Sequence, residues 1–155
     1  LAVGGRYGMA AILYLDYNCF QRGFDDQRQT RIRMETAACE DIFESAARGK
    51  VRLAWSFMHE DENALSPFVD RKIEVLKLSE LCRIRIAPSE SVRLLALKLQ
   101  KQYRLSGKDA LHVACGQEAG ASHFVTCDDA VPKRTGGRVG NMVIMRPTEY
   151  VMLEQ

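Results

Sequence analysis

The chain has 155 residues, 46% of them hydrophobic and 27% charged, with a net charge of +2. That length supports one domain with a proper core and is too short for two ordinary ones, and the balance is that of a soluble globular protein rather than a disordered one. No apolar run approaches the ~20 residues of a membrane-spanning helix, and so small a positive excess points to no partner by itself.

Residues 1–8, LAVGGRYG, lack the basic and apolar regions of a secretory signal. They read as a flexible leader or an appended remnant, with Met9 as a start and residues 9–155 as one domain. The apolar run Ala11-Ile12-Leu13-Tyr14-Leu15 then ends on Asp16. It has strand length, β-favouring residues and no clean polar alternation, which suits a strand buried on both faces of a parallel sheet. Ligands in such sheets sit beyond the carboxyl ends of the strands. Asp16 would lie there, although an Asp that merely starts a turn stays open at this point.

A polar loop is expected over Cys19–Gln27, then a helix from about Gln29 to Arg48 with Met34, Ala38, Ile42, Phe43 and Ala46 inward and Gly49 as its stop. Arg28, Arg31 and Arg33 cluster near its start and read either as a solvated face or as a rim for phosphates. Val51–Trp55 predicts a second strand, and Ser56 caps a helix beginning at Phe57. Met58, Glu62 and Leu65 fall on one stripe of that helix, which puts an acid on an apolar face. Such an acid needs a salt bridge or a metal ion. Glu60 points to solvent, and the pattern leaves Asp61 and Glu62 both open.

Pro67 breaks this helix and opens the next, to about Leu78. Cys82–Ala87 predicts a third strand. Pro88 and Ser89 start a helix to about Tyr103 with Val92, Leu95, Ala96 and Leu99 inward. Ser106 caps a buried helix with Asp109 at the capping-box position, and Gly120 ends it. An acid in a first turn is favoured by the helix dipole, so Asp109 has a structural reason to be there. His123–Cys127 reads as a strand delivering Asp128 and Asp129, Met142–Met145 as a last edge strand, and Pro147 as the start of a short helix. Alternation of strands with helical crossovers predicts an α/β domain with three α/β/α layers and a mainly parallel central sheet.

The five cysteines are odd in number, contain no CxxC and mostly sit in apolar runs. They read as reduced, buried thiols of a cytosolic protein. Neither Cys nor His is paired at zinc-ligand spacing. A Cys–His catalytic pair ranks below the carboxylates.

Asp16 and Asp128 sit at strand ends, Asp109 at a helix start and Glu62 on a helical stripe. A doubly wound sheet can gather them at one edge. Converging carboxylates repel unless a cation is present, and oxygen-only donors suit Mg²⁺ or Mn²⁺. Acid-only sites of this kind serve phosphodiester chemistry.

The pieces Tyr14-Leu15-Asp16-Tyr17-Asn18, Ser56 with Glu62, Asp109-Ala110-Leu111-His112-Val113-Ala114 and Phe124-Val125-Thr126-Cys127-Asp128-Asp129 resemble the PIN-domain ribonucleases, which include the VapC toxins of bacterial toxin–antitoxin pairs. The resemblance covers about Ala11 to Arg134. It implies a parallel α/β/α sheet, metal-dependent cleavage of single-stranded RNA, frequent homodimers, a cytoplasmic setting and an antitoxin protein as partner. It carries Asp16, Glu62, Asp109 and Asp128 over as the acids of the site, with Asp16, Asp109 and Asp128 on the metal. Asn18, Thr126 and Asp129 become supporting residues; Arg28 and Arg31, from the basic cluster at the helix start, are the substrate-binding candidates. Tyr17 stands where the family often has Thr. His112, one turn from Asp109, reads as a hydrogen-bonded core histidine or as a group holding an acid or substrate. A non-catalytic PIN-fold binding module is the main alternative, although binding alone needs no four convergent acids. A phosphotransfer domain fits less well. One type expects an acid where Asn18 stands, and another needs a lysine at the end of a late strand.

Overall fold

The computed structural model describes residues 10–154, so the reading of residues 1–8 and Met9 lies outside them. Six strands form one sheet: β1 (Ala11–Leu15), β2 (Val51–Ser56), β3 (Ile84–Ile86), β4 (His123–Val125), β5 (Arg138–Val139) and β6 (Met142–Met145). Their order is β3-β2-β1-β4-β6-β5, all parallel except β5, which runs antiparallel to β6. The helices are α1 (Tyr17–Gln21), α2 (Thr30–Ala47), α3 (Phe57–Leu65), α4 (Val69–Ser79), α5 (Glu90–Tyr103), α6 (Gly107–Glu118), α7 (Ala130–Thr135) and α8 (Pro147–Leu153).

The alternation of β1 explains why both faces are dry. Tyr14 points into one core with Val92, Leu99, Val113 and Phe124. Leu13 and Leu15 point into the other with Phe20, Ile42, Leu53 and Trp55. Helices cover both sides, as expected for a parallel sheet. From β1 the chain continues on one side to β2 and returns to β4 on the other. The β1/β4 boundary is therefore the switch point of the sheet, where ligands bind in folds of this kind. Leu15 pairs with Val125, which brings the ends of β1 and β4 side by side.

Several local expectations change. The segment after Asn18 is not a polar loop: α1 and a 3-10 turn at Arg22–Phe24 occupy it, because Tyr17, Cys19 and Phe20 are buried. Met34, placed inward by periodicity, is 57% exposed. Leu65, the last residue of α3, is 83% exposed, while Asn63 in the same turn is buried. The third strand is only Ile84–Ile86 and the fourth stops at Val125. Pro67 ends α3 but does not open α4, which starts at Val69. The edge strand is β5, with Met142–Met145 one place inside it. Among the described residues, no helix is long and apolar enough to cross a membrane.

Candidate active site

Asp16 leaves β1 with its backbone N–H donating to the Val125 carbonyl at 2.8 Å, continuing the ladder by one residue. Its carboxylate caps α1: Oδ1 accepts from the Tyr17 N–H at 2.8 Å. Oδ2 accepts from the Thr126 hydroxyl at 2.8 Å and from the Asn18 amide at 3.3 Å. Asn18 in turn accepts the Cys127 N–H at 3.1 Å, and Thr126 accepts the Asp128 N–H at 3.0 Å. Asn18 and Thr126 thus fasten the end of β4 to Asp16. The Tyr17 backbone makes its bond whatever its side chain, and the phenol turns away to donate to Asn63 at 2.8 Å.

Ser56 ends β2 and caps α3 through the Met58 N–H, while His59 accepts the Ser56 N–H at 2.9 Å. Because His59 Nδ1 accepts there, Nε2 carries the proton and donates to the Leu15 carbonyl at 2.6 Å. Burial and the neighbouring His112 push the His59 pKa down to about 3. This fixed, neutral histidine ties the start of α3 to the end of β1 and sets where Glu62 comes round one turn later. Of the two acids left open, Asp61 is exposed and Glu62 faces the site. Glu60 is at the surface and accepts the Trp55 indole N–H at 2.8 Å.

Ligand atoms of Asp16, Glu62 and His112 lie within 4.8 Å of one another. His112 Nε2 bonds the Glu62 carboxylate and stands 3.9 Å from Asp16 Oδ1. Its Nδ1 is 2.7 Å from the Tyr14 hydroxyl, which also meets Ser56 Oγ at 2.8 Å. Both readings of His112 therefore hold: it is a buried core residue, and it grips an acid. Lys108 reaches the other Glu62 oxygen at 3.2 Å.

Burial raises the pKa of Asp16 from its ordinary value, with help from the charges of Glu62 and Asp109. His112 and the Thr126 hydroxyl oppose it. Burial also works against ionised Glu62, but His112 and Lys108 outweigh it and hold the group below its usual value. Asp109, in the first turn of the Ser106-capped α6, is raised by burial and by the charge of Asp128. Asp16 feels the charges of Glu62 and Asp109, and Asp109 that of Asp128, but the acids whose ligand atoms gather within 4.8 Å are Asp16 and Glu62, with His112. Asp128 is exposed, and its Oδ1 accepts the Ala130 N–H at 3.1 Å in a turn.

The remaining residues are engaged elsewhere. Asp129 pairs with Arg31 at 2.9 Å and with Arg146. Arg31 also donates to the Cys127 carbonyl at 2.9 Å, at the same end of the sheet. Arg28 pairs with Asp26 on the surface. Tyr14, His59 and Lys108 escaped the sequence reading. His59 gave one signal, its place three residues after a Ser cap; Lys108, an exposed lysine, gave none. All five cysteines are free and buried, and the sulfurs of Cys19, Cys39 and Cys127 lie within 4.8 Å of one another, a grouping invisible in their linear spacing.

The PIN domain family model matches residues 14–137. Solved structures share the fold at low identity. FitAcB from Neisseria gonorrhoeae is 16% identical with a TM-score of 0.57, over 87% of this chain and 97% of that one. VapBC2 from Rickettsia felis, bound to a DNA fragment from their promoter, is 15% identical at 0.56, over 87% and 98%. PAE2754 from Pyrobaculum aerophilum is 12% identical at 0.54, over 94% and 97%. No curated protein matches the chain.

Proposed function

The chain belongs to the PIN domain family, and on that premise we propose that it is a metal-dependent endoribonuclease cutting single-stranded RNA. The observation that carries this reading is the placement of Asp16: a buried carboxylate at the switch point of the sheet, grouped with Glu62 and coupled to Asp109.

The donor set fits a hard divalent ion, Mg²⁺ or Mn²⁺. Asp16 Oδ2 is filled by two donors, whereas Oδ1 accepts one and keeps a lone pair facing Glu62 and His112. Asp16, Asp109 and Asp128 are the ligands in this reading, their mutual repulsion being what a cation relieves. When bound, such an ion activates water and stabilises the leaving oxygen. Glu62 has a different task. His112 fixes one of its oxygens and Lys108 the other, so an ionised carboxylate is held in one orientation to accept a hydrogen bond from the attacking water. Asn18 and Thr126 keep Asp16 in place, and Asp129 positions Arg31 at the same edge. Arg31 and, further out, Arg28 would meet backbone phosphates.

A protein antitoxin as partner belongs to the same proposal and rests on likeness to VapBC2 and FitAcB; a homodimer and a cytoplasmic setting are proposed on the family membership alone. The test is incubation of labelled single-stranded RNA with the protein in Mn²⁺ and in EDTA. Cleavage only in the metal supports the reading, and cleavage unchanged by EDTA contradicts it.

A further inference from the structure

Beside the acid group lies a second feature, which the family match does not assign. A pocket of about 280 Å³ opens between α1, α3, α4 and the start of α6, lined by Tyr17, Gln21, Glu62, Phe68, Arg71 and Lys108. Glu62 belongs to both, so the pocket opens directly off the acid group. Its walls are built. Tyr17 is buried, with its hydroxyl donating to Asn63 at 2.8 Å and accepting from Gln21 at 3.1 Å.

The rim carries groups that the fold does not explain. Phe68 is 52% exposed and lies outside both cores. The Arg71 guanidinium lies 4.3 Å from its ring centroid and 5.6 Å from that of Phe24. The Phe24 carbonyl accepts from Arg71 at 3.3 Å, its one hydrogen bond among the described residues. The cation is thus held against the two rings, most closely that of Phe68, with N–H groups left over. Lys108, 61% exposed and paired with Glu62 at 3.2 Å, adds a second cation to the lining. An exposed aromatic face beside two cations is the chemistry that holds single-stranded nucleic acid: the ring takes a base, and the cations take the phosphate. The walls mix apolar Leu65 and Pro67 with polar Gln21, Glu62 and Lys108, and the two cations beside the ring favour a phosphate-bearing ligand over an apolar protein segment.

We propose that this pocket receives the nucleotide next to the cleaved phosphodiester, with its base stacked on Phe68 and its phosphate between Arg71 and Lys108. The assignment rests on the ribonuclease reading and names where that site grips its substrate.

The experiment measures binding of short fluorescent single-stranded RNAs by anisotropy in EDTA, where no cutting occurs. It uses wild type, Phe68→Ala and Arg71→Ala. Arg48→Ala serves as control, since Arg48 precedes β2 at the amino edge of the sheet and pairs with Glu44. Each protein is also assayed for cleavage in Mn²⁺. The two pocket variants should bind about tenfold more weakly, and the control as wild type. An RNA made abasic at each position in turn should show one position, beside the cut, where wild type loses about tenfold and Phe68→Ala loses nothing further. Wild-type cleavage with both variants binding normally would overturn the pocket and spare the nuclease; a seat for a protein segment gives that result. An abasic penalty that persists in Phe68→Ala would overturn the stacking. A wild type that neither binds nor cuts any RNA would overturn both proposals together.

Discussion

The imidazole of His112 joins the core to the acid group: Nδ1 sits 2.7 Å from the Tyr14 hydroxyl while Nε2 bonds the Glu62 carboxylate. Both contacts are satisfied when Tyr14 donates to Nδ1 and the Nε2–H donates to Glu62. A residue of the central strand thereby sets the direction of an acid on α3.

Removing that link frees Glu62 and leaves the hydrogen bonds of Asp16 to Tyr17, Thr126 and Asn18 in place. His112→Gln should lower kcat about ten- to a hundredfold, as loss of a residue orienting a site group typically does. Tyr14→Phe should do less, because the Nε2 bond stays. Rates of RNA cleavage at saturating substrate check this, with circular dichroism to confirm folding. An unchanged kcat in His112→Gln would remove Glu62 orientation from the account.

On the proposed function metal should stabilise the fold, since it would bind the native acid group and not the unfolded chain. Stability rises by RT ln(1 + [L]/Kd), roughly 2.7 kcal/mol at a hundredfold excess over Kd. Thermal melts in EDTA and in millimolar Mn²⁺ should differ by several degrees for wild type and by little for Asp109→Asn. Coincident wild-type melts would speak against a metal site.

His59 predicts acid sensitivity at mild pH. Its pKa is pushed down to about 3, chiefly by burial, whereas in the unfolded chain it lies near 6.5. Between those values the unfolded state binds the extra proton, so stability falls as pH falls below 6.5, by about 1.4 kcal/mol per unit. Urea unfolding at pH 7, 6 and 5 should show the decline. His59→Gln should be less stable at pH 7 yet flatter across the series. A parallel decline in the variant would locate the effect elsewhere.

Strand ends were the most legible part of this sequence. A dry β1 ending on Asp16 and an apolar β4 followed by Asp128 announce themselves, because burial on both faces leaves few polar residues to confuse the pattern. Glu62 was legible for a partly mistaken reason. Met58 is buried as its stripe requires, but Leu65 is exposed, and what turns Glu62 inward is the His59 tie to the Leu15 carbonyl. That tie spans 44 residues and leaves no periodic trace. The helical turn at Tyr17–Gln21 was hidden because its length is one turn and its burial depends on packing by Ile42 and Trp55 across the sheet. Tyr17 marked a departure from the family pattern, and its effect is confined to the side chain, since its N–H still bonds Asp16.

The central claim is that Asp16 holds a cation that cuts RNA, and its most direct test compares cleavage of labelled single-stranded RNA by wild type and Asp16→Asn at saturating Mn²⁺. The substitution keeps the shape and the bond from the Tyr17 N–H while removing the charge. Glu60→Gln, still able to accept the Trp55 N–H, is the control. The account predicts a fall of about a thousandfold or more for Asp16→Asn, since metal catalysis supplies several kcal/mol of the barrier reduction, and wild-type rates for Glu60→Gln. Asp16→Asn cutting as fast as wild type would contradict it.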